Sequence, residues 1–160
     1  MNTRIIFVLL LSIFFLGCDD HKTYINQNMN NSKNWNQELE DILPLLGHRN
    51  WILVVDKAFP LQSAEGMKYI NTGAPFFEVL DTTIACIKKA SHVKAILYTD
   101  AELNYLTDGL VPGISDFRTG LSKSLEGSNV QTLMHNDIFS RLDEAAIHHT
   151  SENTMQITSR

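Results

Sequence analysis

From Trp35 onward the apolar positions fall into alternating helical and extended patterns. Trp35, Leu39, Ile42, Leu43 and Leu46 recur at helical spacing. Pro44 ends or kinks that helix, because it has no N–H and clashes one turn back. Trp51–Val55 is an unbroken, β-rich apolar run, the signature of a strand buried on both faces. Met67–Ile70 predicts a short strand. Pro75 suits a helix start, and Phe76, Val79, Leu80, Thr83 and Ile87 then line one face to about Ala90. Val93–Tyr98 predicts a second buried strand, Asp100–Leu106 a short helix or turn, and Pro112-Gly113 a break. Ser115 is placed to cap a helix running to about Leu125, with Gly127 as its stop. Val130–Met134 is a third strand candidate, and Ile138, Phe139, Leu142, Ala145 and Ala146 mark a last helix face.

This alternation predicts a single α/β domain over residues 35–146, with a mostly parallel sheet and helical crossovers. Residues 147–160, IHHTSENTMQITSR, show neither period, so a disordered or atypical tail is expected and the sheet is expected to lack a final strand.

The N-terminus follows a different logic. Arg4 precedes the apolar run Ile5–Leu16, whose only polar member is Ser12. Crossing a bilayer takes about 20 apolar residues, so the run has the length of a signal-peptide core rather than a membrane span. It ends in Phe15-Leu16-Gly17-Cys18, which resembles the lipobox of bacterial lipoproteins. The resemblance implies that residues 1–17 are a signal peptide, that Cys18 is lipidated, and that the chain sits in the cell envelope, held to a membrane by its N-terminal lipid. The alternative is an uncleaved signal anchor. Asp19 resembles an inner-membrane retention signal. The polar, Asn-rich stretch to Asn34 reads as a flexible tether. Cys86 reads as a small buried residue on a helix.

Composition narrows the partners. The 160 residues are 44% apolar with a net charge of -5, and loss of residues 1–17 would remove Arg4 and make the chain one unit more acidic. Such a domain has no electrostatic footprint for nucleic acid. Lys88, Lys89 and Lys94 read as a solvated helix end. No dinucleotide, P-loop, nucleophile-elbow or HExxH motif occurs.

The candidate chemistry lies at strand ends. His48 enters the strand Trp51–Val55 and Asp56 leaves it, where open α/β sheets place ligand-binding groups. Read without further information, Asp56 caps the following turn and His48 is a loop residue. The segment Leu46-Gly47-His48, then Ile52–Asp56, Ala58 and Pro60, with eight residues from His48 to Asp56, resembles the D-ribose pyranase and L-fucose mutarotase family. Leu133-Met134-His135-Asn136-Asp137-Ile138-Phe139 is similar to a second segment of that family. The resemblance spans roughly residues 36–146. It implies that His48 is the catalytic proton donor, that Asp56 contacts a monosaccharide, and that His135 binds substrate. It also implies rings of identical subunits whose neighbours contribute to each site. The family closes on a Tyr-Ala-Asn-like segment and an apolar strand, and nothing after Ala146 matches them.

The implied chemistry is acid/base catalysis without metal or organic cofactor. A hemiacetal ring opens when a proton reaches the ring oxygen and another leaves the anomeric hydroxyl, and an imidazole serves either step near neutral pH. Two alternatives remain: a catalytically inactive carbohydrate-binding lipoprotein, and a truncated gene product. His48, Asp56 and His135, with His148-His149 in reserve, also form a conceivable zinc set. Tyr98-Thr99-Asp100 ends a strand and either borders the pocket or supplies a helix cap at Asp100.

Overall fold

The computed structural model describes residues 3–10, 35–47, 50–61, 67–148 and 154–160. In chain order the elements are β1 (Thr3–Leu10), α1 (Trp35–Ile42), β2 (Trp51–Val55), β3 (Met67–Asn71), α2 (Phe76–Lys89), β4 (Val93–Asp100), α3 (Ile114–Ser124), β5 (Val130–Leu133), α4 (His135–His148) and β6 (Thr154–Thr158). Short 3₁₀ turns at Leu43–Leu45 and Ala101–Tyr105 follow α1 and β4. Pro44 lies within the first of these turns, so the helix stops where the missing N–H requires it to. Gly127 follows α3 with φ 72°, a left-handed conformation that favours glycine at a helix end. Ser115 is not the cap of α3. The helix begins one residue earlier, behind Gly113 at φ 88°, and the Ser115 hydroxyl instead donates to the Asp108 carboxylate.

The strands form one sheet in the order β3-β6-β2-β1-β4-β5, with every neighbouring pair parallel. Side-chain alternation divides the core into two layers. On one face Ile52 and Val54 of β2, Val93 and Leu97 of β4, and Met155 and Ile157 of β6 pack with Leu39, Val79, Leu80, Ile84 and Leu121 from α1, α2 and α3. On the other, Trp51, Leu53 and Val55 of β2 and Tyr98 of β4 pack with Ile138 and Leu142 of α4. The α/β domain with a parallel sheet is therefore present, as three layers. Cys86 is buried on α2, and burial raises its thiol above the ordinary value.

Two segments outside residues 35–146 join the sheet. Thr3–Leu10, the front of the run read as a signal peptide, lies between β2 and β4. The second is a correction. The tail expected to be disordered contains β6, an interior strand between β3 and β2. Its alternation is polar on one face: Thr154, Gln156 and Thr158 are buried opposite Met155 and Ile157. The end of the chain is tied down as well. Ser159 N donates to Val55 O at 2.9 Å, and Arg160 N to Ala74 O at 2.7 Å. The final strand is thus built from a stretch with only two apolar residues. Because Ile157 is fully buried, Ile157→Ala is expected to lower unfolding free energy by about 2–5 kcal/mol. A urea melt checks this, and an unchanged midpoint would mean the tail contributes nothing to the core.

Candidate functional site

Because all six strands are parallel, their carboxyl ends share one rim. Asp56 follows β2 there, Asp100 is the last residue of β4, and His135 opens α4 two residues after β5. Asp100 pairs in register with Leu133 of β5, and Val55 with Leu10 of β1, which levels these ends across the sheet.

Asp56 shapes its own loop. Its Oδ1 accepts from the backbone N–H of Ala58 at 2.9 Å and of Phe59 at 3.2 Å, an Asx turn. Burial raises its carboxyl above the ordinary value, against the pull of those two N–H groups. The cap reading of Asp56 therefore holds. It accounts for one oxygen only, and among the described residues Oδ2 has no partner.

Asp100 has two tasks. Oδ1 accepts from Glu102 N at 2.8 Å and so caps the Ala101–Tyr105 turn. Oδ2 meets His135 Nδ1 at 2.7 Å. The Asp100 side chain is 4% exposed and that of His135 is 29% exposed, so a buried carboxylate holds a half-open imidazole. An ionised carboxylate only accepts. The contact therefore assigns the proton of neutral His135 to Nδ1 and leaves Nε2 as a base.

Aromatic rings connect this pair to the Asp56 loop. His135 meets Phe139 edge-on at 5.0 Å, and Phe139 stacks on Phe59 at 5.6 Å with an interplanar angle of 5°. Phe59, three residues after Asp56, and Phe139, one turn after His135, hold the two loops together on the face covered by α4. Thr158 Oγ1 is buried at the end of β6 and has no hydrogen-bond partner among the described residues.

The structure thus places Asp56 and His135 at the same end of the sheet, with the loop after Asp56 joined to α4 through Phe59 and Phe139. Sequence reasoning did not name Asp100 as a site residue. It weighed pocket border against helix cap at this position, and the two oxygens allow a cap and a histidine contact at once. His48 and Cys18 lie outside the described residues. At the amino end of β2, Asn50 N donates to Gly47 O at 3.2 Å. At a rise of about 3.3 Å per residue, roughly 20 Å of extended chain separates Asn50 from Asp56.

A cavity of about 980 Å³ reaches Asp100 from the other side, lined by Thr99, Asn104, Ser115, Arg118 and Thr119 among others. Arg118 is already committed there, donating to Leu103 O at 3.0 Å and Leu106 O at 2.7 Å. Asp108 holds the loop before α3, and hydrogen bonds from Ser115 keep its carboxyl below the ordinary range. Among the described residues no three His, Cys, Asp or Glu side chains cluster closely enough to hold a metal ion. None of the described helices is long and apolar enough to cross a membrane. Comparison with family models, with curated proteins and with solved structures finds no match to this chain.

The raised carboxyl of Asp56 sets a pH dependence with a definite sign. The folded state binds that proton more tightly than the unfolded chain, whose value lies near 3.8. Its contribution is therefore present below that pH and is lost as pH rises through the raised value. Asp56→Asn keeps the Oδ1 acceptor and removes the ionisation. Its melting temperature is expected to exceed that of the parent at pH 7 and to match it at pH 3. Paired thermal melts at the two pH values check this, and a variant less stable at pH 7 would contradict it.

Proposed function

We propose that this chain binds a monosaccharide and interconverts its ring or anomeric forms by acid/base catalysis. The observation that carries the reading is the contact between buried Asp100 and half-open His135, at the rim where Asp56 also emerges. Opening a cyclic hemiacetal requires one proton delivered and one removed, and a positioned imidazole can do both in turn. With Nδ1–H donated to Asp100, His135 Nε2 takes the proton of the anomeric hydroxyl and delivers it to the ring oxygen as the ring C–O bond breaks and the carbonyl forms, and closure on either face runs the transfer backwards. Asp100 orients the ring and stabilises the imidazolium that forms, and Asp56 Oδ2 accepts from a sugar hydroxyl. The stacked Phe59 and Phe139 rings offer apolar surface for the C–H face of the sugar beside these polar groups.

This assignment shifts weight from His48 to His135. His48, the proton donor implied by resemblance to the pyranase and mutarotase family, lies outside the described residues. Self-association, which the same resemblance implies, is the route by which His48 of one copy would complete the site of another. We place the chain in the cell envelope, anchored through lipid on Cys18, on the strength of the N-terminal sequence alone. A second reading, sugar binding without turnover, rests on the same rim and differs only in rate.

Saturation-transfer NMR between the anomers of ribose and fucose tests the proposal. The full chain is expected to accelerate exchange, and His135→Ala to abolish the acceleration while keeping the folded-state circular-dichroism spectrum at the assay temperature. Sugar affinity without any acceleration would establish the second reading, and neither affinity nor acceleration would remove both. Asp100→Asn is expected to slow exchange at least tenfold and to move the proton of His135 partly to Nε2. The tautomer is read from ¹⁵N shifts of the imidazole. An unchanged tautomer would show that Asp100 does not position the ring.

A further inference from the structure

We infer that the first half of β4 is a docking edge for an extended peptide in which aliphatic residues alternate with acidic ones. The first observation is a mismatch of strand lengths. On one side β1 pairs with β4 from Val93 to Thr99, whereas on the other β5 pairs only from Leu97 to Asp100. Val93–Ile96 therefore overhang the end of β5. In a parallel ladder every second residue directs both its N–H and its C=O to a given side, so about two residues of the overhang present both groups to the open side. Among the described residues, no backbone hydrogen bond from a turn or loop reaches Val93–Ile96.

The second observation is a cavity of about 390 Å³ along the same edge. Val93, Ala95 and Leu97 line it from β4, Ile84 and Ile87 from α2, and residues 127–129 from the turn before β5. Lys94 lines it as well, although strand alternation sends its side chain to the α4 face with Ile96 and Tyr98. Consecutive residues of one strand meet one cavity where that cavity opens onto the strand's edge. An edge merely protected against pairing carries a charge or a proline and needs no apolar hollow beside it.

The third observation is charge. No Asp or Glu lines the cavity, in a chain that has 18 of them against 13 Lys and Arg. Lys88, exposed in the last turn of α2, lines the cavity on one face of the overhang, and exposed Lys94 stands on the other. A strand laid along the overhang keeps step with β4. Its residues opposite Val93 and Ala95 then enter the cavity, and its residue opposite Lys94 points the same way as Lys94. Aliphatic side chains suit the first two places and a carboxylate the third. Such recognition takes its affinity from main-chain hydrogen bonds and its specificity from alternate side chains. The edge lies at the amino end of the sheet, away from the rim of Asp56 and Asp100, so the inference does not rest on the proposed sugar chemistry.

Titration of the full chain with the acetylated and amidated peptide Thr-Val-Glu-Val-Thr, followed by amide NMR, tests the edge. Shifts are expected at Val93–Ile96, in the last two turns of α2 and at residues 127–129, with slower hydrogen exchange in the overhang. No binding at millimolar peptide, or shifts only at other places, would overturn the inference. The same peptide N-methylated at every residue is expected not to bind, because it has no N–H to give to a ladder. Equal affinity for it would show that no strand forms. Lys94→Glu, a change at an exposed position, is expected to weaken the Glu peptide about fivefold or more and to favour Thr-Val-Lys-Val-Thr in its place. A variant that treats the two peptides as the parent does counts equally against the proposal. Decanoate probes the rival occupant, an acyl chain with its carboxylate at Lys88. Decanoate bound in the cavity without any affinity for the peptide would sink the peptide edge.

Discussion

A carboxylate buried under a parallel sheet's rim is costly unless it is fully engaged, and Asp100 is engaged on both oxygens. The effective penalty for taking such a charge out of water is several kcal/mol. Here a backbone N–H meets one oxygen and an imidazole N–H the other. Each partner is itself fixed by a neighbouring element, Glu102 by the turn after β4 and His135 by the first turn of α4. The chain after β4 and the chain after β5 are therefore locked to one atom group. The orientation of His135, and every chemical role given to it, follows from that lock.

The layering decides which side of the rim can act. The face covered by α1, α2 and α3 is aliphatic across most of its area, with Phe76, Phe77 and Phe117 packed between α2 and α3. There Phe77 comes so close to Gly120 that an added Cβ would lie 2.6 Å from the ring. The other face carries the larger aromatic side chains of the strands, the polar flank of β6, and the start of α4. Asp100 and His135 thus meet on the α4 side. The open cavity near α3 shares only Asp100 with them, and its one guanidinium is occupied with backbone carbonyls.

Much of this arrangement was legible in the amino-acid pattern, and the exceptions have physical causes. Trp51–Val55 and Val93–Tyr98 declared themselves because an interior parallel strand is apolar on both faces. Residues 154–158 hid, because TMQIT buries threonine and glutamine where an interior strand normally shows valine or isoleucine. Ser115 suggested a cap by type, but Asp108 reaches across the loop and takes its hydroxyl. Asp56 and His135 were visible as strand-end residues. The link between their loops was not, since it depends on Phe59 meeting Phe139, a contact between elements 80 residues apart in the chain. Asp100 could have been found by asking which carboxylate ends the strand beside β5, a question that needs the strand order and not the spacing.

The N-terminal segment faces a conflict that composition alone cannot resolve, because the same apolar side chains satisfy two solvents. A leader core and a doubly buried parallel strand demand the same thing of Ile5–Leu10, namely β-branched, aliphatic and aromatic side chains with no charge among them. Once paired with both β2 and β4, such a segment is screened from any membrane or export factor. Once captured by either, it leaves two strands with unpaired backbone edges at the centre of the sheet. Unpaired buried N–H and C=O groups are expensive, so pairing in the sheet and capture by a membrane would be mutually exclusive states of these residues.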